Sequence, residues 1–242
     1  MLHFELEFGL HSFALGQWYS LGVHLRIHPS ILSADFVNLE NEVAQISSAD
    51  AVHVDVMDGH FVPSLTFGPQ MVKRLVEVSP IPLDVHLMVE NVDDNAVIYA
   101  DLGAQSVTFH IDAATSPQSI IDSLHDRGAK ASIAFSPGTP LSPYLDLFHT
   151  VDMILIMTVE PGAGGQAFLS GMMPKLDELS RYLQAQGLSP LIQVDGGVTV
   201  ETLPQALRHG ANTFVAGSSV FGHGIPEDNI TALRLAAKQK ES

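Results

Sequence analysis

Residues 51–59 read Ala-Val-His-Val-Asp-Val-Met-Asp-Gly, a β-branched run that ends in polar residues and a glycine. Period-two spacing puts His53 and Asp55 on one face of a strand, with Met57 following on that face. Short β-branched or apolar runs of this kind recur eight times from about Arg26 onward, at 25–31, 51–57, 83–88, 106–110, 130–135, 153–158, 191–194 and 213–216. Between them lie segments of helical period, for example Leu176, Leu179 and Leu183 and, later, Leu203 and Leu207. Strands alternating with helices imply right-handed βαβ units and a parallel sheet. Periodicity alone does not separate a closed barrel from an open doubly wound sheet. Eight near-equal units favour closure, so the expected fold is α/β, a single-domain (β/α)8 TIM barrel.

No Pro- or Gly-rich linker and no shift in composition marks a second domain. The expected organisation is therefore a barrel domain over 24–242 preceded by a short N-terminal extension, 1–23. Within the extension Phe4, Leu6, Phe8 and Leu10 alternate as in a strand, and Trp18 is the single tryptophan of the chain. It reads as an arm for oligomer contact, as an extra strand, or as a loosely attached terminus.

Composition excludes several function classes. The 242 residues are 46% apolar and contain no apolar stretch of transmembrane length, so no membrane partner is expected. Eleven Lys plus Arg stand against 27 Asp plus Glu, a net charge of −16, and nucleic acid is a poor partner for such a chain. With no cysteine there is no disulfide framework, thiolate metal site or cysteine nucleophile. Residues 1–23 hold no Lys or Arg and thus lack a charged signal region, which reads as a cytoplasmic protein.

In a parallel barrel the chemistry sits at the carboxyl ends of the strands, and here nearly all those ends carry polar residues. If the His53 and Asp55 face points inward, His86 on the third strand and Asp195 on the seventh can project into the same space. Two imidazoles and two carboxylates make a ligand set for one divalent ion, and burying them unpaired would be costly. Met57, Met88 and Met157, also at strand ends, would form an apolar floor that keeps water from a reactive intermediate. His60 and His110 read as rim residues.

Glycine stretches supply a second constellation. Gly162, Ala163, Gly164 and Gly165 follow the sixth strand, Gly196 and Gly197 the seventh, and Gly217 and Ser218 the eighth. Phosphate sites of such barrels are commonly built from the last of these loops, where glycine lets backbone N–H groups approach phosphate oxygens. None of the eleven basic residues falls in a strand-end motif. An anionic ligand there would be held by backbone dipoles and the metal, not by an arginine clamp. Lys73, Arg74, Lys175 and Arg181 lie in helical segments and read as solvated outer-face residues.

Six motifs in order, PSILSADF at 29–36, HVDVMDGHFVP at 53–63, DVHLMV at 84–89, MTVEPGAGGQ at 157–166, VDGG at 194–197 and AGS at 216–218, resemble the ribulose-phosphate 3-epimerase family. The resemblance covers about residues 26–236. It implies a (β/α)8 barrel and a metal-dependent epimerase acting at C3 of a ketose phosphate, D-ribulose 5-phosphate to D-xylulose 5-phosphate, and suggests a homo-oligomer. By that resemblance His53, Asp55, His86 and Asp195 are ligands of one divalent ion (Zn²⁺, Fe²⁺, Mn²⁺ or Co²⁺), and Asp55 and Asp195 the acid/base pair about a metal-stabilised enediolate. Ser30, His86, Asp195 and the residues Gly162, Ala163, Gly164, Gly165, Gly196, Gly197, Gly217 and Ser218 would meet the substrate and its phosphate, and Met57, Met88 and Met157 would line the intermediate. Two departures stand out: Ala163 where the family usually has phenylalanine, and Ser64 where asparagine is common.

Three other functions compete. A hexulose-phosphate enzyme such as an allulose 6-phosphate 3-epimerase would use the same residues. A decarboxylase or aldol-type lyase working through Asp-x-Lys-x-x-Asp would need a lysine where Met57 stands. A catalytically silent sugar-phosphate-binding protein would have no use for the His53, Asp55, His86 and Asp195 set.

Overall fold

Eight strands, β1 (Arg26–Pro29), β2 (Val52–Met57), β3 (Leu83–Met88), β4 (Ser106–His110), β5 (Lys130–Phe135), β6 (Met153–Met157), β7 (Leu191–Asp195) and β8 (Thr213–Ala216), form one parallel sheet ordered β1-β8-β7-β6-β5-β4-β3-β2. A parallel bridge between Ser30 and His53 brings β1 to β2 and rounds the sheet into a barrel. This computed structural model describes residues 25–238. The strand pattern read at Phe4 to Leu10, and Trp18, lie outside the described residues. The expected strands agree with the observed ones to within two residues at each end.

Helices connect the strands on the outside: α1 (Leu39–Ala44), α2 (Pro69–Val78), α3 (Val92–Asp101), α4 (Pro117–Asp126), α5 (Met173–Gln186), α6 (Leu203–Arg208), α7 (Ser218–Phe221) and α8 (Pro226–Ala236). After β5 a 3-10 helix, Ser142–His149, takes the place of an α-helix. Proline opens α2, α4 and α8, where its missing N–H would have had no partner in the helix anyway. Leu176, Leu179 and Leu183 of α5 are buried as their spacing predicts, and the helix stops at Gly187 in the left-handed region (φ 67°).

The two faces of the strands separate cleanly. Val52, Val54, Val56, Val85, Leu87, Val107 and Phe109 turn outward and pack with the helices in the principal apolar core. The alternate residues fill the barrel interior, and many are polar: His28, His53, Asp55, Asp84, His86, Ser106, Thr108, His110, Ser132, Gln193 and Thr213 are all buried. A barrel interior is more usually filled by branched apolar side chains. At the base, the Arg234 guanidinium of α8 donates to the Leu25 and Ser48 carbonyls at 3.2 and 3.1 Å and to Asp50 Oδ2 at 2.7 Å. That clamp fixes where β1 begins.

Candidate active site

At the carboxyl ends of the strands lies an open cleft of about 570 Å³, lined by Ser30, Asp55, Met57, Met88, Met157, the 159–166 loop, Asp195, Gly196, Gly197, Gly217 and Ser218. Ser30, Gly162, Ala163, Gly164, Gly165, Gly196, Gly197, Gly217 and Ser218, read from the sequence as substrate residues, therefore share one wall system. Among the described residues, no Lys or Arg lines the cleft. His53 and His86 are fully buried beneath the two carboxylates, whose side chains are 5% (Asp55) and 17% (Asp195) exposed.

Four side chains converge there. One ligand atom each from His53, Asp55, His86 and Asp195 lies within 4.8 Å of the others. His53 Nε2 faces Asp55 Oδ1 at 3.4 Å and Asp195 Oδ2 at 3.8 Å. It hydrogen-bonds neither, and is a buried polar atom without a partner among the described residues. His86 Nδ1 lies 3.2 Å from Asp55 Oδ1 and 3.6 Å from Asp195 Oδ2. Burial pulls the pKa of both imidazoles down, but the carboxylates outweigh it: Asp55 and Asp84 hold His53 well above its ordinary value, and Asp195 and Asp55 raise His86. Burial alone would raise Asp55, yet His53 and His86 bring it below the carboxylate range. The cluster thus stabilises positive charge at its centre, and an orphaned ring nitrogen with a mixed N and O donor set fits a divalent cation.

Other residues hold these groups in place. The Ser30 hydroxyl donates to Asp55 Oδ2 at 2.6 Å and accepts from the Leu32 N–H at 3.2 Å. Asp84, which the sequence reading left without a role, is a hub. Its Oδ2 sits 3.0 Å from His53 Nδ1, 2.8 Å from His28 Nδ1 and 2.7 Å from Gln193 Nε2, while Oδ1 accepts from Ser106 at 2.8 Å. Burial would lift this carboxyl, but the His28 and His53 contacts keep it well below the usual carboxylate range. A carboxylate behind a ligand histidine sets its tautomer, so Asp84 turns the His53 Nε2 lone pair toward the cluster. The signal was present in the sequence: Asp84 lies two residues before His86, on the same strand face.

Two expectations need correction. His110 is not a rim residue. It is completely buried, with Nε2 2.9 Å from His86 Nε2, because the inward phase of β4 carries it into the barrel; burial and the neighbouring His86 hold its pKa well down. Lys175 is not a solvated outer-face residue either. Its ammonium donates to the carbonyls of Ser136, Pro137 and Thr139 at 3.0, 2.8 and 2.8 Å, tying α5 to the loop after β5. Helical spacing cannot show that a lysine on the outer helix reaches back over a strand end. His60, by contrast, is an exposed residue, its ring nitrogen on the Asp58 carbonyl.

The glycine turns are shaped by close approach. Gly197 has φ 65°, and a Cβ there would overlap the Phe168 backbone. Thr158, buried after β6, donates its hydroxyl to the Asp195 and Gly196 carbonyls at 2.9 and 2.7 Å and so sets the turn that carries Asp195. Ser64, one of the two departures, bridges loops: its hydroxyl donates to the Gly162 carbonyl at 2.6 Å. Met57 and Met88 pack with Val62, and Met157 with Leu155 and Val159, giving the cleft an apolar floor.

The model of the ribulose-phosphate 3 epimerase family matches residues 26–221. The chain belongs to this family. A ribulose-phosphate 3-epimerase of Mycobacterium leprae is 47% identical over 211 residues, 87% of this chain and 94% of the relative. One from Bacillus subtilis is 41% identical over 87% of this chain and 98% of its own. Among solved structures, KGPDC from Streptococcus mutans superimposes with a TM-score of 0.67 at 13% identity, over 89% of this chain and 98% of that one, a likeness of fold alone. The chain brings His53, Asp55, His86 and Asp195 together in one cluster, and among its described residues no helix is long and apolar enough to cross a membrane.

Proposed function

We propose that this chain inverts C3 of D-ribulose 5-phosphate to give D-xylulose 5-phosphate, with Asp55 and Asp195 as proton carriers and one divalent cation held by His53, Asp55, His86 and Asp195. The observation that carries the reading is the placement of two carboxylates, from β2 and β7, at the floor of one cleft directly above two buried imidazoles. Bound there, the cation supplies the positive charge that a weakly acidic C–H beside a ketone requires as negative charge develops on oxygen.

The remaining work falls to the chain. One of Asp55 and Asp195 removes the C3 proton; the carbon becomes planar; the other carboxylate, on the opposite face, returns a proton. In the reverse direction the two exchange roles. The Ser30 hydroxyl bond to Oδ2 keeps Asp55 from turning away from the substrate. Met57, Met88 and Met157 exclude water from the deprotonated carbon. The substrate phosphate is bound by backbone N–H groups at Gly197, Gly217 and Ser218, in keeping with the absence of any basic side chain among the described residues of the cleft wall. The barrel unit 24–242, a cytoplasmic location and a homo-oligomer belong to the same proposal, the last of them on the resemblance alone.

The test is an epimerisation assay on ribulose 5-phosphate and allulose 6-phosphate in deuterated water, with elemental analysis of the purified protein. Expected are faster turnover of the pentulose, deuterium at C3 of the product and one equivalent of divalent metal. Faster turnover of the hexulose transfers the reading to a hexulose-phosphate epimerase. Product without solvent deuterium rules out the two-carboxylate exchange.

A further inference from the structure

We propose that Asp112, an exposed residue just after β4, is a positioning residue for His86, acting through Ser136 and His110. The inference rests on the reading that His86 Nδ1 is a cation ligand. Nε2, the other ring nitrogen, lies 2.9 Å from His110 Nε2. One of those two nitrogens must donate and the other accept, and the contact itself does not say which.

The direction is decided further out. A carboxylate only accepts, so the Ser136 hydroxyl commits its single proton to Asp112 Oδ2, at 3.0 Å. Ser136 Oγ is then an acceptor toward His110 Nδ1, 3.3 Å away. His110 therefore carries its proton on Nδ1, its Nε2 is a bare lone pair, and His86 Nε2 must donate into it. His86 Nδ1, 3.2 Å from Asp55 Oδ1, then holds the proton that a cation displaces, while Nε2 keeps its own. Both rings are completely buried, and water meets the chain only at its outer end, at half-buried Ser136 and exposed Asp112.

The outer end is itself held. Thr139 Oγ1 donates to both Asp112 oxygens, at 2.8 and 2.7 Å, and the Lys175 ammonium grips the Ser136 carbonyl at 3.0 Å. Without Asp112 the Ser136 hydroxyl is free to donate to His110 Nδ1. The whole chain can then reverse, with the proton of His86 on Nδ1, the atom the cation requires bare. The two ligand histidines thus have carboxylates behind them at different removes: Asp84 touches His53 directly, and Asp112 reaches His86 through two intermediaries.

The experiment uses the full chain, labelled with ¹⁵N-histidine, in metal-free and Zn²⁺-loaded forms. Histidine ¹⁵N spectra read the His110 tautomer, and competition with a chelating dye reads the Zn²⁺ Kd. In the unmodified protein His110 is expected to be protonated on Nδ1. In Asp112→Ala and in Ser136→Ala that signal shifts toward Nε2 protonation and the Zn²⁺ Kd rises about tenfold. The double variant is no weaker than the weaker single, since both break one chain. Ser136→Ala leaves the Thr139 contacts to Asp112 in place, so it decides the matter if Asp112→Ala fails to fold. His110 protonated on Nε2 in the unmodified protein, or a Zn²⁺ Kd within twofold in Ser136→Ala, overturns the proposal. An unmodified protein that binds no Zn²⁺ overturns instead the reading of His86 as a ligand, while the His110 tautomer still reports on the relay.

Discussion

Asp55 and Asp195 differ in their surroundings, although the reaction proposed for them treats them as a pair. Asp55 is bonded by Ser30 and faces both imidazoles, whereas Asp195 is the more exposed and rides on a glycine turn. Asp55→Asn and Asp195→Asn are each expected to lower kcat by at least about a thousandfold, because an amide cannot carry the proton. Retention of substantial activity in either, in a steady-state assay, would remove that residue from the acid/base pair. The buried network also sets the pH response of the metal-free protein. The pKa of Asp84 is depressed below 3.8 on folding, so its contribution is present above that value and lost as pH falls through the folded pKa. His53 is raised above 6.5, so its contribution is full below that value and lost as pH rises through the folded pKa. Thermal melts without metal are expected to peak on the mildly acidic side, between these limits. Zn²⁺ should stabilise most on the alkaline side, where the ligands are already deprotonated. A Zn²⁺ shift that shrinks as pH rises from about 6 to about 8 would contradict this.

At the level of elements, the loops around the cleft are held by single contacts whose loss has a defined reading. Gly197→Ala must adopt φ near 65° and push against the Phe168 backbone. It is expected to cost more than about 2 kcal/mol of stability, read from denaturant unfolding. Ser64→Ala frees the Gly162 carbonyl from the β2 loop, and should raise KM several-fold with kcat little changed. Ala163→Phe adds an aromatic at the exposed part of the same loop and should lower KM, while an unchanged KM would show that this position does not govern closure. The strands themselves were legible in the sequence, since the apolar phase they turn toward the helices marks each as a short apolar run between turn residues. What stood outside that reach were contacts made across elements. Helical spacing says nothing of the three carbonyls that Lys175 reaches, and residue type alone placed His110 at the rim when the pleat of β4 turns it inward.

For the whole molecule, the barrel begins where Arg234 grips Leu25 and closes where Ser30 meets His53. A chain starting at residue 24 is therefore expected to melt within about 3 °C of the full chain and to keep its kcat; a larger loss, by calorimetry and assay, would make the extension part of the working unit. A chain of net charge −16 that takes the proposed anionic substrate must attract it locally, and among the described residues the cleft wall has no basic side chain. The sequence by itself determined the eight alternating units, the order of the motifs and the four converging His and Asp residues, because each is written in local periodicity or in residue type at strand ends. Only the tertiary structure decided how those four are oriented. The Asp84 hub and the relay from Asp112 join residues far apart in the chain, and a hydrogen bond exists only where folding brings donor and acceptor to about 3 Å.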